Sequence, residues 1–222
     1  DGASLWLSAP LREAFAQQVP RPTAAARHQR AARYLHTHDA PLAAVRHLQA
    51  AGQWTEAADL LLDGLAQGDD WQAGASRDLL GAFPTGKVVP ARWRCIQLHL
   101  SDLHAAAGAT EEAIAACRLA LKASDTPAQQ AACYRRLGKF YEKRNPMHAL
   151  NYYRHAVERL TPAHPELVTV LKDRGWLHIL RGAWAEAEQD LARALLLVRP
   201  DDQKARADIF DAFASLYRHQ NQ

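Results

Sequence analysis

The sequence has 222 residues, 48% hydrophobic and 23% charged, a composition that can bury a core and form one or two globular domains. The formal net charge is +3, too small to indicate nucleic-acid binding by itself, and no apolar run approaches the roughly 18 residues of a membrane span. The three cysteines lack the spacing of a disulfide framework, so we expect reduced thiols in a cytoplasmic protein.

Two helices are predicted before residue 40, separated by a proline break at residues 20–22. The first, over residues 8–19, has an amphipathic stripe. The second, from Thr23 to His36, carries three arginines on one face: Arg27, Arg30 and Arg33. These arginines could contact nucleic acid, but no aromatic residues interleave them. We therefore favour a solvated face, or a contact with another module of the same protein.

The segment Gly81–Lys87 reads Gly-x-x-x-x-Gly-Lys, the spacing of a phosphate-binding loop. Val88 follows it and lacks the hydroxyl that would bind magnesium, and Pro84 removes a backbone N–H from the phosphate cradle. Residues 75–80 look helical, where a phosphate loop requires a buried strand. We interpret the segment as an inter-helix connection bounded by Pro84 and Pro90, and we expect no ATP site in this chain.

From residue 40 the pattern changes to paired helices joined at glycines. Three segments place an alanine five residues after a glycine: Gly52–Ala57, Gly108–Ala113 and Gly182–Ala187. Each glycine can take the left-handed conformation that ends a helix, and the small alanine lets two helices touch. We expect Thr55 and Thr110 to cap the second helices of their pairs. The alanines Ala113, Ala149 and Ala187 recur 36 and 38 residues apart, which predicts a helical solenoid.

Residues 134–162 resemble a tetratricopeptide repeat, and supply its pattern with these residues: Tyr134, Leu137, Gly138, Tyr141, Ala149, Tyr153, Ala156 and Pro162. The turn is one residue shorter than the family's, with Asn145-Pro146 in place of glycine. The following unit supplies Leu171, Gly175, Gly182, Ala187, Leu191, Ala194 and Pro200. The preceding unit lacks the first glycine and supplies Leu100, Gly108, Ala113, Cys117 and Ala120. A last helix without its partner supplies Phe210, Phe213, Ala214 and Tyr217. The resemblance implies helix-pair repeats over residues 94–222.

A second resemblance rests on mostly apolar and basic residues of the N-terminal third: Pro10, Leu11, Arg12, Glu13, Phe15, Arg30, Ala31, Ala32, Tyr34, Ala44, His47, Ala51, Gly52, Ala57 and Ala58. Their order resembles the region after the ATPase module in STAND-class transcriptional regulators of the maltose-regulon activator and LuxR-type family. The sequence departs from that pattern at Ala9, where the family often has histidine. The resemblance implies a winged-helix remnant here, an ATPase module before it and often a helix-turn-helix after the repeats.

Cysteine and histidine residues give only weak signals of chemistry. Cys95 and His99 lie one helical turn apart and, with His104, suggest a zinc site. No fourth ligand and no Cys-x-x-Cys pair accompanies them, and no glycine-rich turn frames a cysteine nucleophile. We therefore expect no metal, no cofactor and no enzymatic activity. Cys117 stands where the repeat takes a core residue, which predicts a small buried side chain.

The concave surface of the predicted superhelix is the best candidate site. The resemblance to tetratricopeptide repeats implies that three positions of each inner helix face this groove: Arg135, Lys139 and Glu142; Lys172, Trp176 and Ile179; Asp211, Ser215 and Arg218. We predict that a ligand or partner is bound by Arg135, Lys139, Lys172, Trp176 and Arg218. These cations and the tryptophan suit an anionic or sugar-like ligand, or an acidic peptide. The alternative is a solvated groove, with binding elsewhere.

These patterns predict an all-α fold: a right-handed α-α superhelix of tetratricopeptide-like helix pairs, preceded by a short helical winged-helix remnant. We expect the remnant and its linker helices over residues 1–39, a degenerate helix-pair arm over 40–90 and repeats over 91–222, the last one incomplete. The single methionine is Met147, so we expect a fragment of a longer protein.

The predicted function is a non-catalytic sensor or scaffold segment of a STAND-type signalling ATPase, a cytoplasmic transcriptional regulator. It would bind a small-molecule inducer or a protein partner in the groove and contact the N-terminal ATPase module of the same protein. It would not itself contact nucleic acid or a membrane. The alternative is a freestanding tetratricopeptide adaptor that binds a peptide or protein partner.

Overall fold

The structure, a computed structural model, describes residues 21–67 and 73–220. The predicted helix over residues 8–19 lies outside them. Eleven helices and no strand occupy the described residues, which confirms the all-α fold. The helices are α1 (Arg21–Thr37), α2 (Pro41–Ala50), α3 (Trp54–Gln67), α4 (Ala73–Gly81), α5 (Pro90–Ala106), α6 (Thr110–Lys122), α7 (Pro127–Tyr141), α8 (Pro146–Arg159), α9 (Glu166–Leu180), α10 (Trp184–Leu197) and α11 (Gln203–Gln220). None of these described helices is long and apolar enough to cross a membrane.

The chain forms two compact units, residues 1–100 and 101–222, which divide within α5. In the first unit α2 packs against α1, α3 and α4. In the second unit each helix from α6 to α11 packs against the next, and α9 also packs against α11. Contact between a helix and the second one after it is the arrangement of stacked helix pairs.

Glycines end the first helix of three pairs, as predicted. Gly52, Gly108 and Gly182 have φ values of 75°, 76° and 72°, the left-handed conformation that costs glycine nothing. The residue after each glycine donates its N–H back across the turn, for example from Gln53 to the carbonyl oxygen of Leu48 at 2.9 Å. This bond satisfies a helix-end carbonyl and turns the chain directly into the next helix.

The predicted threonine caps are wrong. Thr55 lies inside α3, which begins at Trp54. Thr110 is the first residue of α6, and the N-cap position before it is occupied by Ala109, which makes no side-chain capping bond. The glycine turn brings the chain into the helix before the threonine is reached. Side-chain caps occur instead where no glycine turn precedes, since Thr126 caps α7 and Asn145 caps α8.

Glycine also allows close contact within the helix pairs of the second unit. A Cβ at Gly138 would lie 2.7 Å from the ring of Tyr153, and one at Gly175 would lie 3.1 Å from Leu191. Both partners are fully buried. The same two positions of the repeat therefore meet in α7–α8 and in α9–α10. In the preceding repeat, α5–α6, which has no glycine at this position, Ser101 donates a hydrogen bond of 2.9 Å to the carbonyl oxygen of Ala113.

The main core of the second unit is assembled from α7 to α11. Its buried members are Ala131, Ala149, Tyr153, Ala156, Leu160, Leu167, Val170, Leu171, Leu177, Ala194, Val198 and Ile209. A smaller cluster between α9, α10 and α11 contains Ile179, Ala187, Leu191, Ala212 and Leu216. Because the cores join successive helices, they fix which face of α9 and α11 remains toward solvent.

Candidate binding groove

A groove of about 390 Å³ lies between α9 and α11 in the second unit. Its lining residues are Lys172, Asp173, Trp176, Asp208, Asp211, Ala212 and Ser215. Trp176 is 37% exposed, whereas most large apolar residues of α9 are buried. An exposed indole beside carboxylates and an ammonium group offers both an apolar surface and polar contacts to a bound molecule.

Helical periodicity places these side chains. Leu167, Val170 and Leu171 bury one face of α9, so Lys172 and Trp176, four residues apart, share another face. On α11 the buried residues are Ile209, Ala212 and Leu216. Their burial turns Asp208, Asp211 and Ser215 toward α9, where all three line the groove.

Lys172 is not a free cation. Its Nζ lies 2.7 Å from Oδ2 of Asp208, so an ion pair joins α9 to α11 across the groove. The hydrogen bond from Lys172 holds the pKa of Asp208 below its usual range. The sequence suggested that the positive charge of Lys172 binds an anionic ligand. In the structure, the carboxylate of Asp208 neutralises this charge.

Arg135 and Lys139, on α7, share one carboxylate of α9. The Nε of Arg135 lies 2.7 Å from Asp173 and the Nζ of Lys139 lies 3.1 Å from the same side chain, which is almost completely buried. Arg135 also contacts Glu166 at 3.6 Å, and Lys139 contacts Glu142 at 3.3 Å. These two predicted site residues therefore hold Asp173 at the edge of the groove.

Two other predicted positions fall outside the groove lining. Arg218 is exposed near the end of α11 and does not line the groove. Ile179 was expected on the concave face, but it is 2% exposed and belongs to the cluster between α9, α10 and α11. Ile179 points away from the groove because it packs against residues of α10 and α11 in this cluster.

Sequence reasoning missed the carboxylates that neutralise the predicted cations. Asp173 follows Arg135 by 38 residues and Asp208 follows Lys172 by 36, close to the repeat spacing. A search for opposite charges one repeat apart on inner helices would have found both pairs.

A second cavity of about 220 Å³ shares Lys172 and Asp208 with the first and is also lined by Val168, Thr169, Asp202, Lys204 and Ala205.

A buried polar network joins α9 to α10 without entering the groove lining. The guanidinium of Arg174 donates two hydrogen bonds, of 2.7 Å and 2.6 Å, to Asp190. The Nε2 of His178 lies 4.0 Å from the same carboxylate. Burial lowers the pKa of His178, so the neutral imidazole is favoured there. We assign this network to helix packing.

In the first unit, two histidines join α1 to α2. The Nδ1 atoms of His28 and His47 lie 2.7 Å apart, a distance that requires one of them to be unprotonated. Burial, followed by repulsion from His28, lowers the pKa of His47. No predicted site included this pair.

The segment that resembles a phosphate loop connects α4 to α5 within the first unit. A helix, not a strand, precedes it, and the N–H of Lys87 donates to the carbonyl oxygen of Pro84 at 3.3 Å. Phe83 and Val88 are buried, and Phe83 meets Trp54 edge to face. The apolar residues therefore anchor the connection, and Lys87 projects to solvent.

Two of the three cysteines, Cys117 and Cys133, are buried packing residues. Cys117 is fully buried, as predicted, and its thiol donates to the carbonyl oxygen of Cys133 at 3.4 Å. The hydrogen bond with Cys133 and burial raise the pKa of the Cys117 thiol, which opposes thiolate formation. Among the described residues, no three His, Cys, Asp or Glu side chains are grouped so that they could hold a metal ion.

No protein-family model matches the sequence, and no curated protein sequence matches it. Solved structures match its fold. BtubC (BKLC) from P. vanneervenii is 21% identical over 90% of this chain and 88% of that one, with a TM-score of 0.53. A tetratricopeptide repeat protein from Parabacteroides merdae is 16% identical over 90% and 77%, with a TM-score of 0.54. Pseudomonas aeruginosa pilF is 12% identical over 90% of each chain, with a TM-score of 0.53. The chain therefore has a tetratricopeptide-like helical-repeat fold.

Proposed function

We propose that this chain is a non-catalytic scaffold that binds a protein partner in the groove between α9 and α11. The observation that carries the proposal is the exposed indole of Trp176 in a cavity of about 390 Å³ formed by two stacked repeats. Concave faces of helical solenoids commonly serve as extended binding surfaces. The cavity is large enough for one or two side chains of a peptide.

The larger protein in which we place this scaffold is a STAND-type signalling ATPase that regulates transcription in the cytoplasm. The order of residues in the N-terminal third supports this, since it resembles the region after the ATPase module in that family. In this setting the repeats sense a partner or a small-molecule inducer and pass its state to the ATPase module. A freestanding tetratricopeptide adaptor fits the helical-repeat fold equally well.

Blocking the groove tests the binding proposal. Ser215→Arg places a long side chain in the groove, and Ala192→Arg adds the same group to an exposed position of α10 as the matched control. Proteins cross-linked to the chain in its native cells are quantified by mass spectrometry. We expect a specific partner to be reduced at least tenfold by Ser215→Arg and unchanged by Ala192→Arg. Equal recovery with both variants would remove the groove from the binding surface.

The coding sequence before Asp1 separates the two settings. A Gly-x-x-x-x-Gly-Lys-Ser/Thr loop that follows a predicted strand, with an acidic residue at the end of a later strand, supports the signalling ATPase. A start codon immediately before Asp1 supports the adaptor.

A further inference from the structure

The charges around the groove determine which partner chemistry it favours. Three cations line it or contact its lining residue Asp173: Lys172, Arg135 and Lys139. Five carboxylates line it or contact these cations: Glu142, Glu166, Asp173, Asp208 and Asp211. The net charge of this set is therefore −2. A bound group with positive charge gains attraction from this field, whereas an anion meets repulsion.

The cations of the groove are already engaged. Asp208 forms an ion pair with Lys172, and Asp173 forms ion pairs with both Arg135 and Lys139. An anionic ligand would have to displace a carboxylate from each cation, which returns little because one charged contact replaces another. The anionic ligand expected from the sequence is disfavoured by these contacts.

The two sides of the groove offer complementary contacts to a cation. Trp176 on α9 presents exposed indole surface, over which a cation is attracted by the ring quadrupole. Asp211 and Asp208 on α11 line the opposite side, and the side chain of Asp208 keeps 44% of its surface exposed beside Lys172. A guanidinium is planar, stacks on aromatic faces and binds carboxylates through a fork of donors.

We infer that the groove binds a basic side chain of a partner peptide, arginine in preference to lysine, between Trp176 and the carboxylate of Asp211, with Asp208 beside it. This inference rests on the proposed partner-binding function. The second cavity beyond the Lys172–Asp208 ion pair gives room for the peptide on that side. The arginine stacks on the indole and donates to Asp211.

Short capped peptides test the inference. We would titrate Ac-Ala-Ala-Arg-Ala-Ala-NH2, and its Lys, Gln and Glu counterparts, into the full chain and follow the indole N–H resonance of Trp176, assigned with Trp176→Phe. We expect the arginine peptide to shift this resonance with a millimolar Kd, at least tenfold tighter than the glutamine peptide, and lysine to be intermediate. The glutamate peptide should cause no shift.

Variants of exposed acidic residues test the role of Asp211. Asp211→Asn should weaken the arginine peptide at least threefold, while Asp201→Asn, an exposed carboxylate of the turn before α11, should leave it unchanged. Circular dichroism checks that both variants fold. An unchanged affinity for Asp211→Asn would overturn the inference.

The peptide results separate this inference from the proposed function. If the glutamate peptide alone shifts the Trp176 resonance, the groove binds a partner but not a basic one, so only the inference fails. If no peptide shifts it, the inference also fails, and the Ser215→Arg comparison decides the proposed function by itself.

Discussion

Single carboxylates join helices of the second unit through buried or partly buried ion pairs. Asp173 of α9 binds Arg135 of α7, and Asp190 of α10 binds Arg174 of α9. Removing such charges from water is costly, and the cost is offset only when the hydrogen bonds are short and well formed. If the carboxylate is removed, the buried arginine still carries the desolvation cost but no longer has the hydrogen bonds that offset it.

Asp190→Ala is expected to destabilise the second unit by about 3 kcal/mol, because it leaves the largely buried guanidinium of Arg174 without its two acceptors. Urea unfolding followed by circular dichroism measures the change. Asp201→Ala is the control, since its ion pair with Arg199 is exposed and worth less than about 1 kcal/mol. Similar losses in the two variants would contradict the structural role of Asp190.

The histidine pair of the first unit predicts a dependence of stability on pH. The pKa of His47 is lowered in the folded chain, so the unfolded chain binds more protons once the pH falls below about 6.5. The stabilising contribution is therefore complete above the unfolded pKa and is lost as the pH falls toward and through the folded pKa. His47→Gln should reduce the fall of the urea midpoint between pH 7.5 and 5.5.

Part of this dependence should remain in His47→Gln, because burial also lowers the pKa of His178. His36→Gln changes an exposed histidine and serves as the matched control. If His47→Gln and His36→Gln give the same midpoints at both pH values, the contact between His28 and His47 does not contribute.

At the scale of helices, the two repeat glycines differ in what faces them. Alanine in a helix gains about 1 kcal/mol over glycine, while overpacking a core costs about 1–3 kcal/mol. At Gly138 the added methyl would meet the buried ring of Tyr153 at 2.7 Å, a rigid group. At Gly175 it would meet the flexible Leu191 at 3.1 Å. Overpacking should win at Gly138 and nearly cancel the gain at Gly175.

Gly138→Ala is therefore expected to destabilise the chain by about 1–2 kcal/mol, and Gly175→Ala by less than about 0.5 kcal/mol. Chemical unfolding of both variants gives the comparison. In a Tyr153→Leu background, Gly138→Ala should become neutral, because leucine reproduces the contact seen at Gly175. A loss that persists in that background would show that the ring of Tyr153 is not its cause.

The sequence predicted those local features that depend on residue type alone. The glycine turns at Gly52, Gly108 and Gly182 followed from their conformational freedom. The capping residues did not, since the start of α6 is set by the geometry of the turn before Thr110 rather than by its hydroxyl. Asn145 caps α8 because the turn there lacks glycine and needs a side-chain acceptor.

For the whole molecule, the helical-repeat fold was predictable and the chemistry of the groove was not. The resemblance to tetratricopeptide repeats placed Lys172 and Trp176 on the concave side of α9, and both line the groove in the structure. The partners of the cations depend on how closely one repeat stacks on the next, and the Lys172–Asp208 distance of 2.7 Å cannot be read from spacing alone. These contacts are the reason why we propose a basic partner for the groove rather than the anionic ligand expected from the sequence.

The chain as a whole is expected not to bind ATP. The loop of residues 81–88 follows a helix, and the N–H of Lys87 donates a hydrogen bond to the carbonyl oxygen of Pro84. Val88 is buried at the position where a phosphate loop requires a magnesium-binding hydroxyl. Calorimetric titration of the purified chain with Mg-ATP should give no heat of binding, and Lys87→Ala should behave identically. Micromolar binding that Lys87→Ala abolishes would contradict this account of the loop.

Asp208 serves two contacts that compete. It holds α11 to α9 through Lys172, and it also faces the space in which we place a partner's arginine. A guanidinium that binds this carboxylate would weaken the ion pair with Lys172. Binding in the groove and the packing of α11 on α9 would then be thermodynamically linked. Because the curvature of a helical-repeat array depends on how each repeat packs on the next, a bound side chain could in this way affect helices that it does not contact.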